Sequence, residues 1–99
     1  MALLIQNAKF KNTEVLAPTM YVRLQYLAQA DGKKASVALI QALDKASALS
    51  WQTISTNIPE SNLVTLSEGE SQDLLTIHQK VKENLENLNL GFIITIDLA

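Results

Sequence analysis

The feature that most constrains this chain is the stretch 74–88. There Leu74, Ile77, Val81, Leu85 and Leu88 recur at helical spacing, while Gln79, Lys80, Lys82, Glu83 and Glu86 take the opposite side. A helix with one apolar stripe needs a surface to bury that stripe against. The residues that follow supply one: 92–98 are β-branched and aromatic, and a strand there puts Phe92, Ile94, Ile96 and Leu98 on one face. The helix is predicted to cover the Phe92 face. Its start falls within 67–72, where Ser67 and Glu70 have capping-box spacing and Ser71 offers a second N-cap. Its end falls at Gly91, which tolerates the left-handed conformation, with Leu88 and Phe92 in contact across the cap. This makes it a long helix, of about 18 residues and roughly 27 Å.

The first half reads as strands. Val22, Leu24 and Tyr26 alternate with Arg23 and Gln25, the period of a half-buried strand, and Asp31-Gly32 is a hairpin signal. Residues 34–43 are then the returning strand. Positions 35–43 are also rich in helix formers, so helix stays the alternative and the preceding turn favours strand. Residues 44–50 read as a connection with one helical turn. Residues 51–58 alternate and are predicted as a strand ended by Pro59, 63–66 as a short strand, 3–10 as an edge strand, and 15–19, with Pro18, as a loop. Strands followed by one amphipathic helix give an α+β fold: an antiparallel sheet of about 4–5 strands with one long helix on one face. With 99 residues, 47% of them hydrophobic and 18% charged, the chain is predicted to be one domain spanning 1–99.

The charge is uneven. Residues 1–50 carry six basic and three acidic side chains, and 51–99 carry two basic and seven acidic ones. Such a chain can set a basic face of one copy against an acidic face of another. The net charge of −2, with no basic cluster beyond Lys33-Lys34, speaks against a nucleic-acid partner. No window approaches the ~18 apolar residues of a membrane span, and the N-terminus lacks the pattern of a signal peptide. No membrane partner is expected, and the location expected is the cytoplasm.

The chemistry-bearing residues are sparse. There are no cysteines, hence no disulfide, thiolate nucleophile or thiolate-bound metal. His78 is the single histidine, and its helical neighbours Leu74, Leu75, Val81 and Lys82 supply neither a nucleophile nor an orienting carboxylate, so it reads as a residue at the margin of the stripe. Glu68, Glu70 and Asp73 cluster where a helix N-terminus favours carboxylates, without the alternating oxygen ligands of a calcium loop. Gly32, Gly69 and Gly91 are too scattered to cradle a phosphate. No catalytic, cofactor-binding or metal-binding residue emerges, and the chain is expected not to be an enzyme. Trp51 is the one large side chain outside the periodic segments, and Tyr21 and Tyr26 fall on opposite faces of one strand. These three are the candidate interface residues. An uncovered edge at 3–10 could pair with another chain.

The residues Tyr21 to Leu24, Asp31 to Lys33, His78, Val81, Leu85, Leu88, Gly91-Phe92 and Ile96 to Leu98 form a loose pattern. It resembles small uncharacterised proteins encoded among phage and prophage structural genes. That resemblance implies a virion or tail-associated component, assembled into a particle from the host cytoplasm, and it carries over no catalytic residue. The function expected is a non-enzymatic structural or assembly protein, homo-oligomeric, with itself and other structural proteins as partners. The alternative is a monomeric adaptor presenting a sheet face or edge to a protein or peptide.

Overall fold

Asp31 pairs with Lys34, and the two long central strands run antiparallel from there; Gly32 of the expected turn lies outside the described residues. The structure is a computed structural model that describes residues 1–31, 34–65 and 74–98, with backbone alone for 26–31. Its elements are β1 (Ala2–Gln6), β2 (Met20–Asp31), β3 (Lys34–Ala42), α1 (Lys45–Leu49), β4 (Ser61–Thr65), α2 (Leu74–Glu86) and β5 (Ile93–Asp97). The strands make one antiparallel sheet in the order β4-β3-β2-β1-β5. The class is α+β, as the pattern predicted.

The contested stretch 35–43 is strand. Alternation decides it: Ala35, Val37, Leu39 and Gln41 are buried, while Ser36, Ala38 and Ile40 are half-buried on the other face. Helix propensity in these residues yields to pairing on both edges, with β2 on one side and β4 on the other.

Register sorts the sheet into two faces. Leu3, Ile5, Met20, Val22, Val37, Leu39, Val64 and Ile94 form the core with Ile77, Val81, Leu85 and Phe92. Helix α2 therefore covers the Phe92 face, as expected, and it touches β1, β4 and β5. Because β4 and β5 are the two ends of the strand order, the sheet curls around the helix to bring both edges to it. The side-chain amide of Asn84 on α2 donates to Asn62 Oδ1 on β4 at 2.8 Å and fastens one of those edges. Among the described residues, the opposite face carries α1, whose Ala48 packs with Ala2, Tyr21 and Ala42.

Four expectations are corrected. First, 3–10 is not an edge strand. β1 ends at Gln6 and lies inside the sheet, between β2 and β5, because both chain-end strands pair with each other. Asn7 terminates it with a φ of 69°, a left-handed conformation that asparagine tolerates better than most residues, and its amide donates to Gly91 O at 3.1 Å. The edge on that side of the sheet is instead β5, whose Ile93 is exposed.

Second, 51–58 is not a strand. Phe10 and Thr56 make an isolated bridge, and the alternation is nonetheless real, since Thr56 and Ile58 are buried and Ile54 is half-buried against exposed Thr53, Ser55 and Asn57. Third, the helix is short. Described from Leu74, it ends at Glu86, and Asn89 at φ 56° rather than Gly91 follows its last turn. Leu74 and Leu88 are exposed, so the working stripe is Ile77, His78, Val81 and Leu85. The expected start at 67–72, with Ser67, Glu68, Glu70, Ser71 and Asp73, lies outside the described residues. Fourth, His78 is not marginal but fully enclosed. Among the described residues no helix is long and apolar enough to cross a membrane.

Candidate functional site

The open face of the sheet is built by a short helix that stops early. Asp44 caps α1, its carboxylate accepting the Ser47 N–H at 2.7 Å, and that bond holds the Asp44 carboxyl below its ordinary value. The far end closes with two backbone bonds: the Gln52 N–H donates to Ser47 O at 2.9 Å and the Trp51 N–H to Ala48 O at 3.2 Å. This is the Schellman arrangement, and it puts Trp51 at the position that glycine usually takes. Trp51 accordingly has a φ of 58°. For a residue with a side chain, that left-handed conformation costs roughly 1–2 kcal/mol.

The turn delivers the indole to the face beyond α1. Trp51 is 67% exposed, and the Arg23 guanidinium carbon sits 5.6 Å from its ring centroid. A cation over an indole at this distance is held by the ring quadrupole, worth about 0.5–1 kcal/mol where solvent reaches it. Arg23 on β2 stands opposite Ile40 on β3, and with Gln25 and Trp51 these residues line a depression of ≈ 130 Å³. A second depression of ≈ 230 Å³ has Ala38, Ile40, Thr53, Ser55 and Glu60 in its lining. Ile40 is common to both. The backbone explains the second depression: the Leu39 N–H donates to Glu60 O and the Ile54 N–H to Gln41 O, while the chain between dips to the core face.

Of the two interface candidates whose side chains are described, Trp51 is at the surface. Tyr21 is buried under α1, and the side chain of Tyr26 lies outside the described residues. Sequence reasoning missed Arg23, Ile40 and Glu60. Arg23 and Ile40 show merely as outward positions of an alternation, and nothing local says that a helix five residues long will lay Trp51 across them.

His78 offers the other unusual polar group. It is 2% exposed, and its Nδ1 lies 2.6 Å from Leu74 O, an acceptor, so Nδ1 carries the proton and donates. Nε2 is buried without a hydrogen-bond partner. Burial pushes the His78 pKa below its ordinary 6.5; the Leu74 bond opposes this, and the N-terminal ammonium adds to the depression. A depressed folded-state value means that the unfolded chain takes up the proton first, so His78 costs stability as pH falls through about 6.5. In urea titrations at about pH 7.5 and 5.5, His78→Leu is expected to lose much less stability on acidification than the wild type. An equal loss in both proteins excludes His78 as the titrating group. With both nitrogens enclosed, the imidazole is not placed to meet a substrate.

Among the described residues, no group of three or more His, Asp or Glu side chains is placed to hold a metal ion. No family model, curated protein or solved structure matches this chain.

Proposed function

We propose that this chain is a non-enzymatic assembly protein that works by contact with other protein chains, a second copy of itself first, through the open sheet face around Trp51. One observation carries the reading: the chain's one tryptophan is exposed while its backbone occupies a conformation that glycine would adopt without strain. A side chain that adds little to the fold, in a position that costs stability, is best explained by something it meets outside the fold. Tryptophan and arginine are over-represented among residues that dominate binding energy, and here they stand together. The uneven charge of the two halves supports a copy of the same chain as partner. Membership of a phage-like particle rests on the loose residue pattern alone.

Trp51→Gly tests this with little damage to the fold, because glycine suits the left-handed cap. Its stability is expected to stay within about 1 kcal/mol of the wild type. Light scattering after size exclusion should show the wild type growing above the 10.9 kDa monomer as concentration rises, with Trp51→Gly remaining at the monomer mass. A wild type that stays monomeric at millimolar concentration defeats the assembly reading. A variant that associates as well as the wild type removes this face from it.

A further inference from the structure

Pairing register fixes which side chains share the open face with Trp51, because directly opposite residues of neighbouring strands point to one side of a sheet. Arg23 stands opposite Ile40, Gln25 opposite Ala38, and Ala38 opposite Ser61. Alternation along β3 agrees, since Val37 and Leu39 on either side of Ala38 belong to the core. Around Trp51 this face therefore bears a cation, Arg23, and no carboxylate among these side chains. Glu60 does not supply one: its carbonyl oxygen accepts the Leu39 N–H, which sets Glu60 opposite a core-facing residue. Asp44 is held by the Ser47 N–H at the start of α1, and Asp97, two strands from β2 on β5, has a partner of its own. Arg23 is half-buried beside the Trp51 ring, and among the described residues no ion pair reaches it.

A two-fold contact packs a surface on itself. Packed in that way, this face takes two guanidiniums out of water and offers a carboxylate to neither, which is the costly way to bury a charge. The missing carboxylate has to come from a different surface. The chain has one to offer: residues 51–99 carry seven acidic side chains against two basic ones, and Glu83 is exposed on α2, which covers the other face of the sheet. Resting on the self-assembly reading above, we infer that copies associate head to tail, the Trp51–Arg23 face of one docking on a carboxylate-bearing surface of the next rather than on the same face. The carboxylate pairs with the guanidinium, whose planar fork of donors suits it, while the exposed indole and half-buried Ile40 supply the apolar part of the contact. A pair formed this way keeps a free face at one end and a free acidic surface at the other. It grows past a dimer until it closes in a ring or continues as a filament.

Mixing a damaged copy with an intact one tests this, because the two kinds of contact share the damage differently. By sedimentation velocity with fluorescence detection, labelled Arg23→Glu is expected to bind itself about a hundredfold more weakly than the wild type binds itself. With unlabelled wild type it should bind at wild-type strength, since its own acidic surface is intact and meets an unchanged face. In a two-fold contact every such mixed pair carries half of the defect, a loss of about tenfold. Trp51→Gly repeats the test in a variant whose cap glycine suits, so a fold damaged at the half-buried Arg23 does not decide the outcome. An excess of either variant should also shorten wild-type assemblies, because it fills their free faces and presents a damaged one. A wild type whose mass stops at a dimer, or mixed pairs weakened about tenfold with both variants, overturns head-to-tail packing and leaves assembly through this face standing. Arg23→Glu that binds itself like the wild type removes the carboxylate from the contact and overturns the inference as well. If the wild type is monomeric throughout, both readings fall.

Discussion

Leu85→Ala is expected to lower stability by about 3–4 kcal/mol, a large part of the 5–15 kcal/mol typical of a domain. Leu85 is fully buried on α2, in one cluster with Leu3, Ile5, Val22, Phe92 and Ile94. The helix lies inside a curl of sheet and reaches both edge strands, so its stripe has no free side toward which to relax. Deleting three carbon atoms there loses their transfer free energy and leaves a cavity whose walls are paired strands, which collapse poorly. Leu88→Ala is the control. Leu88 continues the same sequence spacing but is 46% exposed beyond the helix end, and its truncation should cost below about 1 kcal/mol. Urea unfolding followed by far-ultraviolet circular dichroism measures both. Equal losses at the two positions would mean that the packed stripe extends through Leu88.

The contrast between Leu85 and Leu88 shows how far the sequence could be read. Periodicity located the helix, and it found which face of Phe92, Ile94 and Ile96 the helix meets, because both patterns record burial directly. It also found Val22 and Leu24 facing one way and the antiparallel return of the chain from Lys34, since these signals are local. It did not find where the helix stops. Asn89 takes up the left-handed conformation two residues before the more obvious Gly91, and this leaves Leu88 outside the core.

Pairing between distant segments was the other thing hidden. The residues of β1 do not say which strands flank it, and only its ladder to β5, formed from a distant segment, makes it interior. The alternation from 52 to 58 correctly marked buried Thr56 and Ile58, yet the backbone bonds there go to Lys9, Lys11 and Gln41 rather than into a ladder. The candidate site suffered most, for it is assembled from β2, β3, the end of α1 and the approach to β4. Trp51 drew notice by size. Its placement over Arg23 depends on a cap that in most helices is formed by glycine, and an alternation pattern carries no sign of that.

Thr56→Val is expected to cost about 2–4 kcal/mol, although it removes no volume and leaves the surface untouched. The Thr56 hydroxyl donates to Gln41 Oε1 and accepts the Ile58 N–H at 3.1 Å, while Gln41 Nε2 donates to Ile58 O at 3.2 Å. All of these bonds are buried, so valine leaves a carbonyl oxygen and an amide without partners and without water. Adding Gln41→Leu removes the stranded oxygen, and the double variant should be more stable than the sum of the two single losses predicts, by about 1 kcal/mol or more. This ring also holds the inward dip between Ile54 and Glu60, where the chain leaves the edge of β3 and forms the wall of the larger depression. Thr56→Val should therefore weaken self-association at temperatures where the protein remains folded, as a change at the rim alone would not. A variant within about 0.5 kcal/mol of the wild type would show that Ile58, rather than the hydrogen-bonded ring, anchors the segment. Full stability loss with unchanged association would separate that anchor from the docking face, and leave Glu60 positioned by its own bond to Leu39.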